Sequence, residues 1–176
     1  TAALFGIPQR VPIDESHPTD PINPYGRSKL MVEQILRDCE RAWNLRSACL
    51  RYFNASGCSA DSLIGEDHNP ESHLIPRVLM AITGEIDTLE VYGTDYPTPD
   101  GTCIRDYIHV DDLASAHGLA LEHILTKDES IQCNLGTGKG ISVKEIITAA
   151  EQVTGKKVPI RYGPRREGDP PELVSD

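Results

Sequence analysis

The chain has 176 residues, 39% of them hydrophobic and 25% charged, and its formal net charge is −10. This size and composition are typical of a globular protein with a buried core, whereas the negative charge disfavours general binding to nucleic acid or an anionic membrane. No apolar run approaches the roughly 20 residues that span a bilayer, and no signal-peptide pattern is found. We therefore expect neither nucleic acid nor a membrane among its partners.

Cysteine and histidine usage predicts no disulfide and no metal site. The cysteines are odd in number and widely spaced: Cys39, Cys49, Cys58, Cys103 and Cys133. Disulfides are rare in the cytosol, and no Cys-x-x-Cys pair is present, so we expect reduced residues in a cytoplasmic protein. The six histidines lack a ligand spacing such as His-Glu-x-x-His.

The first 22 residues are predicted to be mostly irregular. Residues 1–6 look like the end of a strand, and no initiator methionine precedes them, so we expect the sequence to begin inside a domain. Residues 7–22 contain four prolines and predict a long loop. A loop of this length in a domain is usually functional or a linker.

A long helix is predicted over residues 24–43. Asn23 is a good N-cap, Pro24 suits the first helical position, and apolar residues recur with helical spacing. Tyr25 and Lys29 then share one helical face, where an ammonium beside a phenol favours the phenolate. Tyr25 is therefore a candidate acid/base. The alternative is an ordinary helix start, because a Tyr-x-x-x-Lys pattern also arises by chance.

A buried strand is predicted over residues 47–53, ended by residues 54–57. A helix followed by such a strand indicates a parallel α/β sheet. Ligands bind at the carboxyl ends of parallel strands, so Asn54 is a candidate contact, with a plain turn residue as the alternative.

Strands and helices alternate through the rest of the chain. We predict an irregular segment at 58–72, a helix at 73–83 ended by Gly84, a strand at 89–93, a turn-rich loop at 95–101, a strand at 103–110, a helix capped by Asp111, a strand at 131–135, a helix opened by a Ser142–Glu145 capping box and ended by Gly155, and a strand at 158–162.

Two further local features were open to more than one interpretation. Arg105 beside Asp106 is most simply a surface pair, although an arginine at a strand start can also bind a phosphate. The glycine-rich segment 136–140 lacks both the Gly-Lys-Ser/Thr and the Gly-x-Gly-x-x-Gly patterns, so we predict a turn there.

Four linked blocks carry a family resemblance: Tyr25 with Lys29, residues 50–54, residues 105–110 and residues 164–169. With them, essentially the whole chain resembles the UDP-glucose 4-epimerases of the extended short-chain dehydrogenase/reductase family. The resemblance implies an α/β fold that comprises the C-terminal half of a Rossmann-like parallel sheet and a smaller α/β substrate domain.

The resemblance also implies a domain division. Residues 1–57 correspond to the second half of the NAD-binding Rossmann domain, and residues 58–176 mainly to the UDP-sugar-binding domain, with about 104–126 packing back on the first. The glycine-rich segment that holds the NAD pyrophosphate has no counterpart here. We therefore expect an internal fragment, truncated at its C-terminal end as well, that binds NAD poorly and is inactive alone.

The roles implied by the resemblance are those of a 4-epimerase. Tyr25 takes the proton from the sugar 4-hydroxyl, Lys29 bonds the NAD ribose, and Thr1 relays the proton. The C4 hydride passes to NAD, the 4-keto sugar rotates, and hydride returns to the opposite face, which interconverts UDP-glucose and UDP-galactose. Tyr52 would lie near NAD. The positions matched to the UDP-sugar are Thr1, Asn54, His73, Leu74, Tyr92, Arg105, Arg166, Asp169 and Leu173.

Several alternatives remain open at this stage. A dehydratase is disfavoured because Ala2 and Ala3 stand where those relatives carry an Asp-Glu pair. Epimerases that act on UDP-N-acetylhexosamines or UDP-pentoses are an alternative. Leu173 matches the position that limits room for the N-acetyl group and is smaller than the tyrosine of strict hexose epimerases, so activity on UDP-N-acetylglucosamine is a hypothesis. A catalytically inert fragment or UDP-sugar-binding relative is the non-enzymatic alternative. The resemblance further implies a homodimer formed through the helix at 24–43.

Overall fold

Four α-helices alternate with eight short strands in the computed structural model, which describes residues 1–176. The helices are α1 (Pro24–Trp43), α2 (Leu74–Thr83), α3 (Val110–Lys127) and α4 (Val143–Thr154). The strands are β1 (Ala48–Tyr52), β2 (Asn54–Ser56), β3 (Leu89–Tyr92), β4 (Ile104–His109), β5 (Ile131–Leu135), β6 (Gly140–Ser142), β7 (Ile160–Gly163) and β8 (Glu172–Leu173). No helix combines the length and the apolar character needed to cross a membrane.

The strands form three small sheets in which parallel pairing dominates. β1 pairs with β5, β3 pairs with β7, and β2 pairs with β4, each in parallel. β4 also pairs with β6 in antiparallel and with β8 in parallel orientation. The predicted parallel α/β arrangement is therefore confirmed.

Most predicted helix ends are confirmed by the observed caps. The Asn23 side chain accepts a hydrogen bond from the Gly26 N–H at 2.8 Å, and α1 ends at Asn44 in the left-handed region. Ser142 opens α4 with the predicted capping box, and Gly84 and Gly155 end α2 and α4 with positive φ. All five cysteines are free, as predicted.

Three local predictions are wrong. Ala2–Phe5 forms a short 3₁₀-helix capped by Thr1, so residues 1–6 are not a strand end. Residues 54–56 do not end the sheet but form β2, because the chain changes its strand partner after Phe53. The N-cap of α3 is His109, whose ring nitrogen accepts the Asp111 N–H at 3.2 Å, and not Asp111.

Arg105 and Asp106 do not form the expected surface pair. Neighbouring residues of a strand point to opposite faces, and the Asp106 side chain is fully buried. Its carboxylate accepts hydrogen bonds from the N–H and hydroxyl of Thr137 and from the N–H groups of Gly138 and Ser175. A Cβ at Gly136 would collide with this carboxylate, which explains the glycine in the predicted turn.

A buried ion pair joins α1 to β1. Arg51 donates from Nε and Nη2 to the two carboxylate oxygens of Glu33, at 2.8 and 2.6 Å. The side chains are only 3% and 8% exposed. The guanidinium also lies 5.3 Å from the ring centroid of Phe5 in the 3₁₀-helix, so one side chain links three segments.

We expect Glu33→Gln to destabilise the protein by about 3–5 kcal/mol, because it leaves the buried Arg51 charge without a counterion. Asp38→Asn is the matched control, since it removes a carboxylate from an exposed ion pair with Arg41 on the same helix and should change stability little. Urea unfolding of both variants measures the difference. Equal effects of the two substitutions would contradict this role of the ion pair.

Candidate functional site

One large cavity of about 940 Å³ is lined by 29 residues from nearly every part of the fold. It lies where Thr1, which caps the 3₁₀-helix, meets the first turn of α1, β2, the start of α2, β3 and β4. Ten of the twelve site residues predicted from the sequence line it: Thr1, Tyr25, Tyr52, Asn54, His73, Leu74, Tyr92, Arg105, Arg166 and Asp169. The fold thus brings together residues that are far apart in the chain.

The start of α1 and the 3₁₀-helix form one end of the cavity. The Asn23 cap places Tyr25 in the first helical turn, where its side chain is exposed and lines the cavity. Gly26 permits this arrangement, because a Cβ there would collide with the carbonyl oxygen of Ala3. This close approach packs α1 against the segment that follows Thr1.

Lys29 lies one turn beyond Tyr25, as the helical spacing requires. Its ammonium nitrogen is 5.4 Å from the centroid of the Tyr25 ring, which places a positive charge over the phenol. Lys29 itself does not line the cavity. A phenol beside an ammonium can give up and take back a proton within a site.

The end of β1 and the start of β2 form a second wall. The Tyr52 side chain is partly exposed, and its ring lies 6.3 Å from that of His117 on α3. Asn54 is held in register opposite Tyr107 by the β2–β4 pairing. Its place in a strand, and not in a turn, fixes the direction of its side chain more firmly than the sequence indicated.

Two guanidinium groups, those of Arg105 and Arg166, also line the cavity. Arg105 donates from Nη2 to Asp169 Oδ1 at 3.0 Å and from Nη1 to its neighbouring Ile104 carbonyl at 2.8 Å. The Arg166 guanidinium stacks 3.9 Å from the ring centroid of Tyr92. Planar guanidinium groups held in this way can form forked hydrogen bonds to a phosphate.

The N-terminus of α2 contributes His73 and Leu74 to the cavity. His73 occupies the N-cap position without a side-chain cap, and its Nδ1 lies 2.9 Å from the Glu71 carboxylate. Burial of Glu71 opposes ionisation, but hydrogen bonds from the backbone N–H and the imidazole of His73 hold the pKa of this carboxyl below its ordinary value. The imidazole is thus fixed at the cavity edge by a carboxylate.

Leu173 is the other predicted site residue outside the cavity lining. It lies in β8, opposite Arg105 in the strand register, and packs against the buried cluster of Ala2, Leu4, Phe5, Ile13 and Phe53. The size of the Leu173 side chain therefore affects the packing of this cluster. Its influence on the choice of sugar stays a prediction.

Tyr107, Glu66 and His68 line the cavity although they were not among the predicted site residues. Strand alternation could have indicated Tyr107, because it lies two residues after Arg105 and shares its face of β4. Glu66 and His68 lie in an irregular segment, where no periodic pattern places a side chain. Only the tertiary structure brings them to the site.

The family description "NAD dependent epimerase/dehydratase family" matches residues 1–136. The chain belongs to this family. A relative from Halalkalibacterium halodurans, called UDP-glucose 4-epimerase, is 53% identical over 99% of this chain and 52% of its own length. This chain thus spans about half the length of such family members.

Solved structures of family members have the same fold. The UDP-glucose 4-epimerase from Brucella ovis in complex with NAD is 55% identical and matches with a TM-score of 0.95, covering 99% of this chain and 54% of that one. The enzyme from Bifidobacterium longum in complex with NAD⁺ and UDP is 44% identical with a TM-score of 0.94, covering 100% of this chain and 53% of that one.

The partly buried phenol of Tyr107 makes the stability of the protein depend on pH in the alkaline range. Burial raises its pKa to about 12, although the positive charge of Arg105 opposes the shift. In the unfolded chain a phenol ionises near pH 10, so its contribution to stability is complete below about pH 10 and is lost as the pH rises towards 12. Tyr107→Phe should therefore reduce the loss of stability over this range.

Urea unfolding midpoints at about pH 8 and about pH 11 test this expectation. Tyr162→Phe is the control, because Tyr162 is exposed on β7 and lies outside the cavity. It should keep the parental difference between the two midpoints. A Tyr107→Phe variant with the parental difference would contradict the assignment.

Proposed function

We propose that the complete protein containing this chain interconverts UDP-glucose and UDP-galactose by oxidation and re-reduction at C4 of the sugar, with NAD as cofactor. The observation that carries the proposal is the convergence of ten separately predicted site residues on one cavity. Its volume of about 940 Å³ is at the upper end of the range usual for small-molecule sites. Relatives with about half of their residues identical bear the name of this activity.

The residues at the α1 end fit the nicotinamide half of NAD. Tyr25 and Tyr52 present partly exposed rings to the cavity, and the Lys29 ammonium lies beside the Tyr25 ring. We assign this ammonium to a hydroxyl of the NAD ribose. NAD would supply a reversible hydride acceptor, the chemistry that protein side chains lack. The protein supplies the position of the groups and the electric field around them.

The two arginines that line the cavity fit the diphosphate of a nucleotide sugar. Arg105 is held by Asp169, and Arg166 is held on the face of Tyr92, so both guanidinium planes are oriented before a ligand arrives. Preorganised donors lose less conformational entropy on binding. With the diphosphate there, the sugar would extend towards Tyr25 and Thr1, which line the same cavity.

Proton movement is assigned to Tyr25, Lys29 and Thr1. Tyr25, with the Lys29 ammonium beside its ring, would accept the proton of the sugar 4-hydroxyl and later return it. The Thr1 hydroxyl lines the same cavity and would relay that proton. Ala2 and Ala3 offer no second acid or base for elimination of water, so the reaction stops at epimerisation.

We also propose that the chain contributes to two domains of a cytoplasmic enzyme. Residues 1–57 and about 104–126 would form part of the NAD-binding domain; this division is supported by the β2–β4 pairing and by the packing of α3 on β1 and β5. The remainder of residues 58–176 would bind the UDP-sugar. The free cysteines fit a cytoplasmic enzyme, and the proposed reaction fits a role in galactose metabolism.

Activity of the complete protein tests the proposal. With NAD present, UDP-galactose should be converted to UDP-glucose, and Tyr25→Phe should lower kcat by roughly 10²- to 10⁴-fold because the acid/base is removed. Tyr162→Phe, outside the cavity, should retain parental kcat. Full activity in Tyr25→Phe would contradict the mechanism, and activity on UDP-pentoses alone would contradict the substrate assignment.

We also propose a homodimer formed through α1. Met31 and Ile35 lie one turn apart on this helix and are 58% and 59% exposed. Apolar residues exposed in such a stripe commonly pack against a partner helix.

Ile35→Glu in the complete protein should convert the dimer to a monomer in sedimentation or light-scattering measurements, because the new charge would be buried without a counterion. Val153→Glu is the matched control, since Val153 is also an exposed apolar residue but lies on α4. A dimer that withstands Ile35→Glu and dissociates with Val153→Glu would contradict this interface.

A further inference from the structure

Four side chains at the edge of the cavity converge in a way that the proposed proton and hydride transfers do not use, although one of them, His73, is also among the positions matched to the UDP-sugar. Glu66, His68, Glu71 and His73 each offer one ligand atom, and these atoms all lie within 4.8 Å of one another. The residues belong to the end of the irregular segment before α2 and to the N-cap of that helix. Three of them, Glu66, His68 and His73, also line the cavity.

The separations resemble those of a metal coordination shell. His73 Nδ1 lies 2.6 Å from Glu66 Oε1 and 2.9 Å from Glu71 Oε1, and His68 Nδ1 lies 3.2 Å from Glu66 Oε1 and 3.6 Å from Glu71 Oε2. In a tetrahedral Zn²⁺ site with bonds of about 2.0–2.1 Å, neighbouring ligand atoms are roughly 3.3–3.4 Å apart. The four observed distances lie on both sides of this value.

Hydrogen bonding alone does not account for the cluster. Of the four nitrogen–oxygen contacts, only that between His73 and Glu71 has the geometry of a hydrogen bond. The nitrogen of His73 carries at most one proton and faces two carboxylate oxygens, so its 2.6 Å contact with Glu66 has no proton of its own. A cation that displaced the Nδ1 proton would be attracted by the nitrogen lone pair and by both carboxylate oxygens.

The charge of the cluster favours a divalent cation. The two carboxylates bring negative charge, and the close nitrogen contacts of Glu66 and Glu71 are made to these histidines and to no lysine or arginine. Arg77 donates to the backbone carbonyl of Glu71 and not to its carboxylate.

We propose that Glu66, His68, Glu71 and His73 form a transition-metal site that takes Zn²⁺. Two nitrogen and two oxygen ligands suit Zn²⁺, whereas Mg²⁺ and Ca²⁺ prefer oxygen ligands alone. The bound ion ties the irregular segment to the N-terminus of α2 and so holds the edge of the cavity. The site is defined by its own contacts and does not depend on the proposed epimerase reaction.

Zinc titration of the complete protein, in competition with a chromophoric chelator and without added nucleotide, tests the proposal. We expect one equivalent to bind. His68→Ala and Glu71→Gln should each weaken binding by at least about 100-fold, since even residues behind a ligand contribute roughly 10- to 100-fold. His123→Ala is the control, because His123 lies on α3 outside the cluster, and it should bind zinc like the parent.

Substitution of Co²⁺ for Zn²⁺ gives a second measurement, which separates the loss of a metal ligand from the misfolding of a variant. Co²⁺ in the parent should give the intense visible absorption of a four-coordinate site, and Glu71→Gln should lose it while it keeps the parental far-ultraviolet circular dichroism. Equal zinc affinity in the parent and in His68→Ala would overturn the proposal. No zinc binding by the parent, or equal loss in His123→Ala, would overturn it as well.

Discussion

The bidentate ion pair between Arg51 and Glu33 is the constraint on which the geometry of the site depends. Removing two charges from water costs several kcal/mol for each ion, and this cost is offset only by good geometry. Here two short hydrogen bonds and the face of Phe5 surround the guanidinium. Because β1, α1 and the 3₁₀-helix all contribute to this cluster, none can shift without exposing or unpairing a buried charge.

The ion pair affects function because it fixes the positions of residues that line the cavity. Tyr25 lies at the start of the helix that carries Glu33, Thr1 begins the 3₁₀-helix that carries Phe5, and Tyr52 follows Arg51 directly. The proposed proton-transfer groups are therefore set by one buried interaction. Displacement of a reacting group by about 1 Å can lower a rate by roughly 100-fold. A costly but rigid ion pair suits a site with such requirements.

The site also offers two kinds of partner. Arg105, Arg166 and the phenol of Tyr25 line the same cavity, so a ligand with an anionic end and a hydroxylated end finds a partner for each end there. Each arginine is held by a different means, one by a carboxylate and one by an aromatic ring. Stacking on Tyr92 leaves the guanidinium hydrogens of Arg166 free to bind a ligand, whereas Arg105 shares its hydrogens with Asp169.

Sequence reasoning succeeded where structure is determined by near neighbours. The cap at Asn23 and the capping box at Ser142 are local patterns, and both are observed. It failed where the local structure depends on a segment that is distant in the chain. Asp106 is buried because residues 136–138 and Ser175 surround its carboxylate. Residues 54–56 form a strand because β4 lies beside them. The cluster of Glu66, His68, Glu71 and His73 had no spacing that sequence rules recognise, because an irregular segment brings its members together.

The central claim is that one cavity holds the two ends of a nucleotide sugar in a fixed orientation. A crystal structure of the complete protein with NAD and UDP bound tests it most directly. We predict that the diphosphate oxygens lie within hydrogen-bonding distance, about 2.7–2.9 Å, of the Arg105 and Arg166 guanidinium nitrogens. UDP bound outside the cavity, or within it with neither arginine in contact with a phosphate, would contradict the account.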